Sequence, residues 1–125
     1  GTDVTIVANG LLVEQALIAK DMLAGEGISA RVINMATIKP IDKDILVKAA
    51  KETGAIVTAE EHNVIGGLGS AVAEVLVDEG CTNVKMKRIA LPDVYVHEVG
   101  SQQWLREQYH LTAPYIEEEI LNICK

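Results

Sequence analysis

Short β-branched runs recur along this chain, separated by segments of helical period, and that alternation limits the fold more than any other feature. Val4 to Ala8 is nearly all apolar, as a strand covered on both faces is, and Arg31 to Met35 and Ala55 to Ala59 are the second and third strands. Val84 to Leu91 differs, because Val84, Met86 and Arg88 alternate with Lys85, Lys87 and Ile89. Exposed lysines of this kind protect an edge strand from pairing with foreign chains. Strands alternating with helices predict right-handed crossovers and a mainly parallel sheet. The expected architecture is α/β: a three-layer αβα unit with four strands in the order 2-1-3-4, formed by residues 1–125 as one domain.

Helical spacing fills the intervals. The first helix should run from Leu12 to Leu23, burying Leu12, Ala16, Ala19 and Leu23 and exposing Glu14 and Asp21. Gly25 and Gly27 supply its stop. Pro40 blocks an early start of the second helix, for which Asp42 is the N-cap. That helix should set Ile45, Leu46 and Ala49 against Lys48 and Lys51 and end at Gly54. The third begins near Leu68 and turns Leu68, Val72, Val75 and Leu76 inward, away from Ser70, Glu74 and Asp78. Two more close the chain, Ser101 to Tyr109 and Ala113 to Cys124. The last has Thr112 as cap, Glu117, Glu118 and Glu119 where the helix dipole favours acids, and Ile116, Ile120 and Ile123 as its buried stripe.

In a sheet of this order the switch point lies between strands one and three, and ligands of such sheets sit beyond the carboxyl ends of the strands there. Ala8-Asn9-Gly10 and Glu60-Glu61-His62 occupy those ends, followed by Gly66, Gly67, Gly69 and Ser70. The glycines let backbone approach closely, and a helix N-terminus attracts an anion. Equally, they serve a tight turn and close helix–sheet packing. Glu60, Glu61 and His62 read either as acid, base or metal ligands, or as polar residues that end a strand and meet another chain. Alternation would let Glu60 and His62 converge while Glu61 turns away. His97 and His110 stand in distant segments with no metal-ligand spacing.

Other chemistries fit less well. Gly67 to Val72 reads G-x-G-x-x-V, lacking the third small residue of a dinucleotide fingerprint, and two acids flank the loop. There is no phosphate-binding Walker sequence. Ser70 is outside a G-x-S-x-G elbow and reads as a first-turn helix residue. Trp104 and Tyr109 read as packing or interface anchors.

Composition narrows the partners. In 125 residues, 49 % apolar content is enough for one core, and a net charge of −7 speaks against nucleic acid, which needs clustered cations. Lys85, Lys87 and Arg88 form one cluster, expected to be the solvated face of a strand. Cys81 and Cys124 lack metal spacing and are expected to stay reduced, which suggests the cytoplasm. No apolar run approaches the ~20 residues that span a bilayer. Only Gly1, Thr2 and Asp3 precede the first strand, so a piece upstream is expected.

Taken together, Thr37-Ile38-Lys39-Pro40-Ile41-Asp42, Glu52 to Thr58, Glu60-Glu61-His62 and Gly66 to Glu74, in that order, resemble the C-terminal domain of transketolase. The resemblance is strongest to the split bacterial and archaeal form and covers nearly the whole chain, including Pro92-Asp93 and Gly100 to Thr112. Related domains occur in deoxyxylulose-phosphate synthase and in the β subunits of 2-oxo acid dehydrogenases. The resemblance implies an enzyme that moves two-carbon ketol units between sugar phosphates with thiamine diphosphate and Mg²⁺ or Ca²⁺. It places the coenzyme between upstream pyrophosphate and pyrimidine domains at a homodimer interface. It assigns this domain a structural and assembly role, with no catalytic, cofactor or metal residue carried over, and implies an extra antiparallel strand before the first. A regulatory anion- or nucleotide-binding α/β module, and a stand-alone hydrolase or metal enzyme built on Glu60 and His62, are the alternatives.

Overall fold

The computed structural model describes residues 2–9, 12–35, 42–63, 67–81, 83–91 and 113–124. They form β1 (Val4–Ala8), α1 (Leu12–Gly25), β2 (Ala30–Asn34), α2 (Lys43–Glu52), β3 (Ala55–Asn63), α3 (Leu68–Asp78), β4 (Lys85–Leu91) and α4 (Ala113–Cys124). The sheet is parallel, in the order β2-β1-β3-β4. Both the order and the edge position of β4 match the expectation from sequence. The expected helix over Ser101 to Tyr109, the Thr112 cap and Pro40 lie outside the described residues.

Alternation along β1 divides the interior in two. Val4, Ile6 and Ala8 join Val57 and Ala59 beneath α1 and α4, where Leu12, Ala16, Ala19, Leu23, Ile116 and Ile120 are buried. Val7, Ile33 and Ile56 turn the other way, onto Leu46, Ala49 and Ala50 of α2 and Leu68, Val72, Val75 and Leu76 of α3. Each fully buried Ile or Leu contributes about 1.5–3 kcal/mol relative to exposure. Thr5 shares the second face, and its hydroxyl lies 2.9 Å from that of Thr53. Thr53 spends its proton on the Ala49 carbonyl at 2.7 Å, so Thr5 is the donor of the pair.

Local signals explain the helix ends. Asp42 accepts the Ile45 N–H at 3.1 Å, the expected N-cap bond. After α1, Gly27 turns left-handed at φ 80, Ile28 N–H donates to the Leu23 carbonyl at 2.9 Å, and Gly27 N–H to Ala24 at 3.2 Å. This is a Schellman ending, and Gly80 with Cys81 repeats it after α3.

Three expectations shift. β2 begins and ends one residue early, at Ala30 and Asn34. Ile45 is 38 % exposed while Ala50 is buried, because Leu46, Ala49, Ala50 and Thr53 form the i, i+3, i+4, i+7 stripe and Ile45 falls on its flank. β3 runs to Asn63, four residues further than expected. Among the described residues, no helix is long and apolar enough to cross a membrane.

Candidate functional site

The extension of β3 defines the carboxyl end of the sheet. Its last pair with β1 is Ala8↔Ala59, so Glu60 to Asn63 run beyond β1 by about 13 Å at 3.3 Å per residue. β4 follows further: Glu60 pairs with Ala90, then the register slips and Asn63 pairs with Leu91. Glu60-Glu61-His62 therefore belong to the strand rather than to a loop after it.

Glu60 is 1 % exposed, and its carboxylate is spent on the start of α3. Oε2 accepts the Leu68 N–H at 2.5 Å and Oε1 accepts the Gly69 N–H at 3.3 Å. Gly67 holds the N-cap position and has no side chain to offer the first turn. Glu60 supplies the missing acceptor from eight residues upstream. Capping together with the favourable dipole is worth about 1–2 kcal/mol, set against the cost of burying the acid.

Beside this clamp the packing is close. A Cβ on Gly69 would sit 2.6 and 2.9 Å from Cδ and Cγ of Arg88, and 3.0 Å from the Thr58 hydroxyl. Gly69 is thus required by the approach of β4 and β3, whatever else the turn does. Arg88 Nη1 donates to Ser70 Oγ at 3.2 Å. Thr58 Oγ1 is buried with no hydrogen-bond partner among the described residues.

The residues singled out from sequence divide accordingly. Glu60, Gly67, Gly69 and Ser70 come together at the α3 N-terminus. Glu61 and His62 continue along β3, their side chains lying outside what is described, and Gly66 lies outside the described residues altogether. The two amides that would greet an anion hold a carboxylate of the same chain. An incoming phosphate would have to displace it or sit beside a like charge. Among the described residues, no three His, Cys, Asp or Glu side chains are grouped to hold a metal ion.

The cations of β4 are not simply solvated, as the sequence suggested. Lys85 Nζ donates to the Ile123 carbonyl at 3.0 Å, Lys87 lies 3.3 Å from Glu119, and Arg88 meets Ser70. An open groove of about 470 Å³ runs along α2, lined by Lys43, Lys48, Lys51, Asp44, Glu52 and Glu79. Its charges are mixed in sign and show no convergent chemistry. The clamp by Glu60 was missed in the sequence. Its only signal is a glycine at a helix start with no Ser, Thr, Asp or Asn to cap it.

A doubly wound three-layer α/β unit, with its strand-end helix capped from within, is the class this geometry defines. A family model described as "Transketolase, C-terminal domain" matches residues 1–116, and the chain belongs to that family. It is 48 % identical over 93 % of its length to a 6-deoxy-6-sulfo-D-fructose transketolase subunit of Clostridium sp. (strain MSTE9), covering 35 % of that protein. It is 51 % identical over 90 % of its length to 1-deoxy-D-xylulose-5-phosphate synthase of Heliobacterium modesticaldum, covering 17 % of it. A solved structure of a split-gene transketolase, an inactive beta4 tetramer, superposes with TM-score 0.89 at 49 % identity, over 98 % of this chain and 39 % of that one. The chain thus spans well under half of each of these relatives.

Proposed function

We infer that this chain is the C-terminal domain of a thiamine-diphosphate-dependent transferase that passes two-carbon ketol units between sugar phosphates. In this reading it is a structural and assembly domain of a longer, cytoplasmic, homodimeric enzyme. It packs against upstream pyrophosphate and pyrimidine domains, which hold the coenzyme with Mg²⁺ or Ca²⁺. The observation that carries the structural role is the Glu60 carboxylate on the amides of Leu68 and Gly69. A coenzyme diphosphate needs free donors and a metal with acidic ligands; here the amides at the α3 N-terminus are filled by an acid. The described residues therefore do not fit thiamine diphosphate. The strand end Glu60 to Asn63 and the following glycine turn are the contact face toward the rest of the enzyme.

Calorimetry tests this. Thiamine diphosphate with Mg²⁺ should give no saturable heat with the 125-residue chain at micromolar cofactor. Saturable binding would overturn the structural role.

A second reading, the same domain in a deoxyxylulose-phosphate synthase, is favoured by the 51 % identity to that enzyme. The intact mass of the native polypeptide separates the two. These residues would be about a third of a split subunit, as in the Clostridium relative, and about a sixth of a synthase.

A further inference from the structure

We propose that Glu60 is a positioning residue for the enzyme's assembly, fixing the β3 end so that Glu61 to Asn63 meet the rest of the enzyme in one geometry. The inference rests on the structural role argued above and adds the device that makes the contact face rigid.

Beyond Ala59 the strand has lost its β1 neighbour, and beyond Glu60 its β4 register slips. A strand end held along one side only, through an irregular ladder, has few restraints on its direction. Glu60 supplies the restraint at the point where regular pairing stops. Its two oxygens reach two consecutive amides, Leu68 and Gly69, so they fix an orientation as well as a distance. The other end of the tether is firm: Leu68 is fully buried, and Gly69 is pressed against Arg88 and Thr58. The end of β3 is thereby tied to the start of α3 before any partner arrives. Association then loses less conformational entropy, which is how preorganisation raises affinity.

The position of the acid supports a role beyond stability. A serine at position 67 would cap α3 locally with a neutral hydroxyl, so fold stability alone does not call for the more costly arrangement seen. What a local cap could not do is couple the helix start to the strand end.

The experiment uses the native polypeptide carrying these residues and the complementary section of the enzyme, with their affinity measured by titration. Glu60→Ala should weaken association by about tenfold, the equivalent of one lost cap. Formate or acetate, entering the space left by the carboxylate, should restore it, while chloride at equal ionic strength should not. Leu23→Ala, which removes a buried side chain of α1 on the opposite face of the sheet from Leu68, controls for stability and should keep wild-type affinity at temperatures where both variants are folded. Should Glu60→Ala fold poorly, Glu60→Gln keeps one acceptor; amide exchange at Leu68 and Gly69 should then quicken and the affinity fall by less. Wild-type affinity in Glu60→Ala, an equal loss in Leu23→Ala, or a loss that carboxylates do not rescue would each overturn the proposal. Failure of the wild-type sections to associate at all would instead overturn the assembly role on which it rests.

Discussion

A methyl group on Gly69 would enter space held by the Arg88 stem and the Thr58 hydroxyl, and the two neighbours differ in how far they can yield. Arg88 is exposed and can swing aside, whereas Thr58 is buried in the sheet. Gly69→Ala should therefore cost about 1–3 kcal/mol, the range of overpacking. Arg88→Ala should recover part of that loss, and Thr58 should keep the rest. A urea double-mutant cycle reads the coupling, and strictly additive effects would rule the contact out. At the other end of the chain, burial first and the Asp3 carboxylate second raise the Cys124 thiol above its ordinary value, with Lys85 opposing. A raised folded value means the fold favours the protonated thiol, so any stability it adds is present below the ordinary thiol range and is lost as pH rises through the folded value. Alkylation of Cys124 near pH 8.5 should accordingly be slower in the native chain than in urea; equal rates would contradict the shift. Single residues were legible in sequence where their partners are local. Asp42 announced its cap because Ile45 lies three positions on, while Glu60 did not, because its partners become neighbours only when β3 and α3 pack.

Elements were legible for a related reason: burial imposes a period on the sequence, and the buried stripes of α1, α3 and α4 follow it. The failures have physical causes. Glu60-Glu61-His62 has little strand propensity, and β4 rather than intrinsic preference carries β3 through it. Ile45 looked internal because it is apolar, yet the phase of α2 is set by Leu46, Ala49 and Ala50. The end of that helix offers a test of how elements are joined. Thr53 closes α2 through Ala49 and simultaneously accepts from Thr5 in the central strand β1. Thr53→Val should cost about 1–3 kcal/mol, because it leaves the buried Thr5 hydroxyl without its acceptor, although the Ala49 carbonyl keeps the Thr53 N–H. Adding Thr5→Val should give some of that back, since an apolar pair strands fewer polar groups. Chemical denaturation of the two variants settles it: a double variant less stable than the sum of the singles would mean that the pair is not the link between α2 and β1.

At the scale of the whole molecule, the last element closes what the first elements open. α4 lies over the β1–β3 face together with α1, burying Ala113, Ile116 and Ile120 and partly burying Leu121 and Ile123. Its first amide, on Ala113, donates to Gln15 Oε1 of α1 at 3.0 Å, so α4, like α3, receives an acceptor from a distant part of the chain. Lys85 and Lys87 of β4 tie down the remainder through Ile123 and Glu119, although exposed ion pairs such as the latter add little. The sheet order could be inferred from the alternation of strands and helices, but this closure could not, because the sequence pattern shows that α4 has an apolar stripe and not which face receives it. The energetic consequence is testable. Removing one buried Ile to Ala typically costs about 2–5 kcal/mol, and a domain of this size has only about 5–15 kcal/mol in total. Deleting 113–125 removes both isoleucines and uncovers the strand residues beneath them, a loss comparable with the whole stability. The truncated chain should lose its cooperative thermal transition and bind a hydrophobic dye while retaining much of its helical circular dichroism. A sharp two-state transition in that chain would show that the β1–β3 face is stable uncovered, and that α4 is an addition to the domain rather than part of its core.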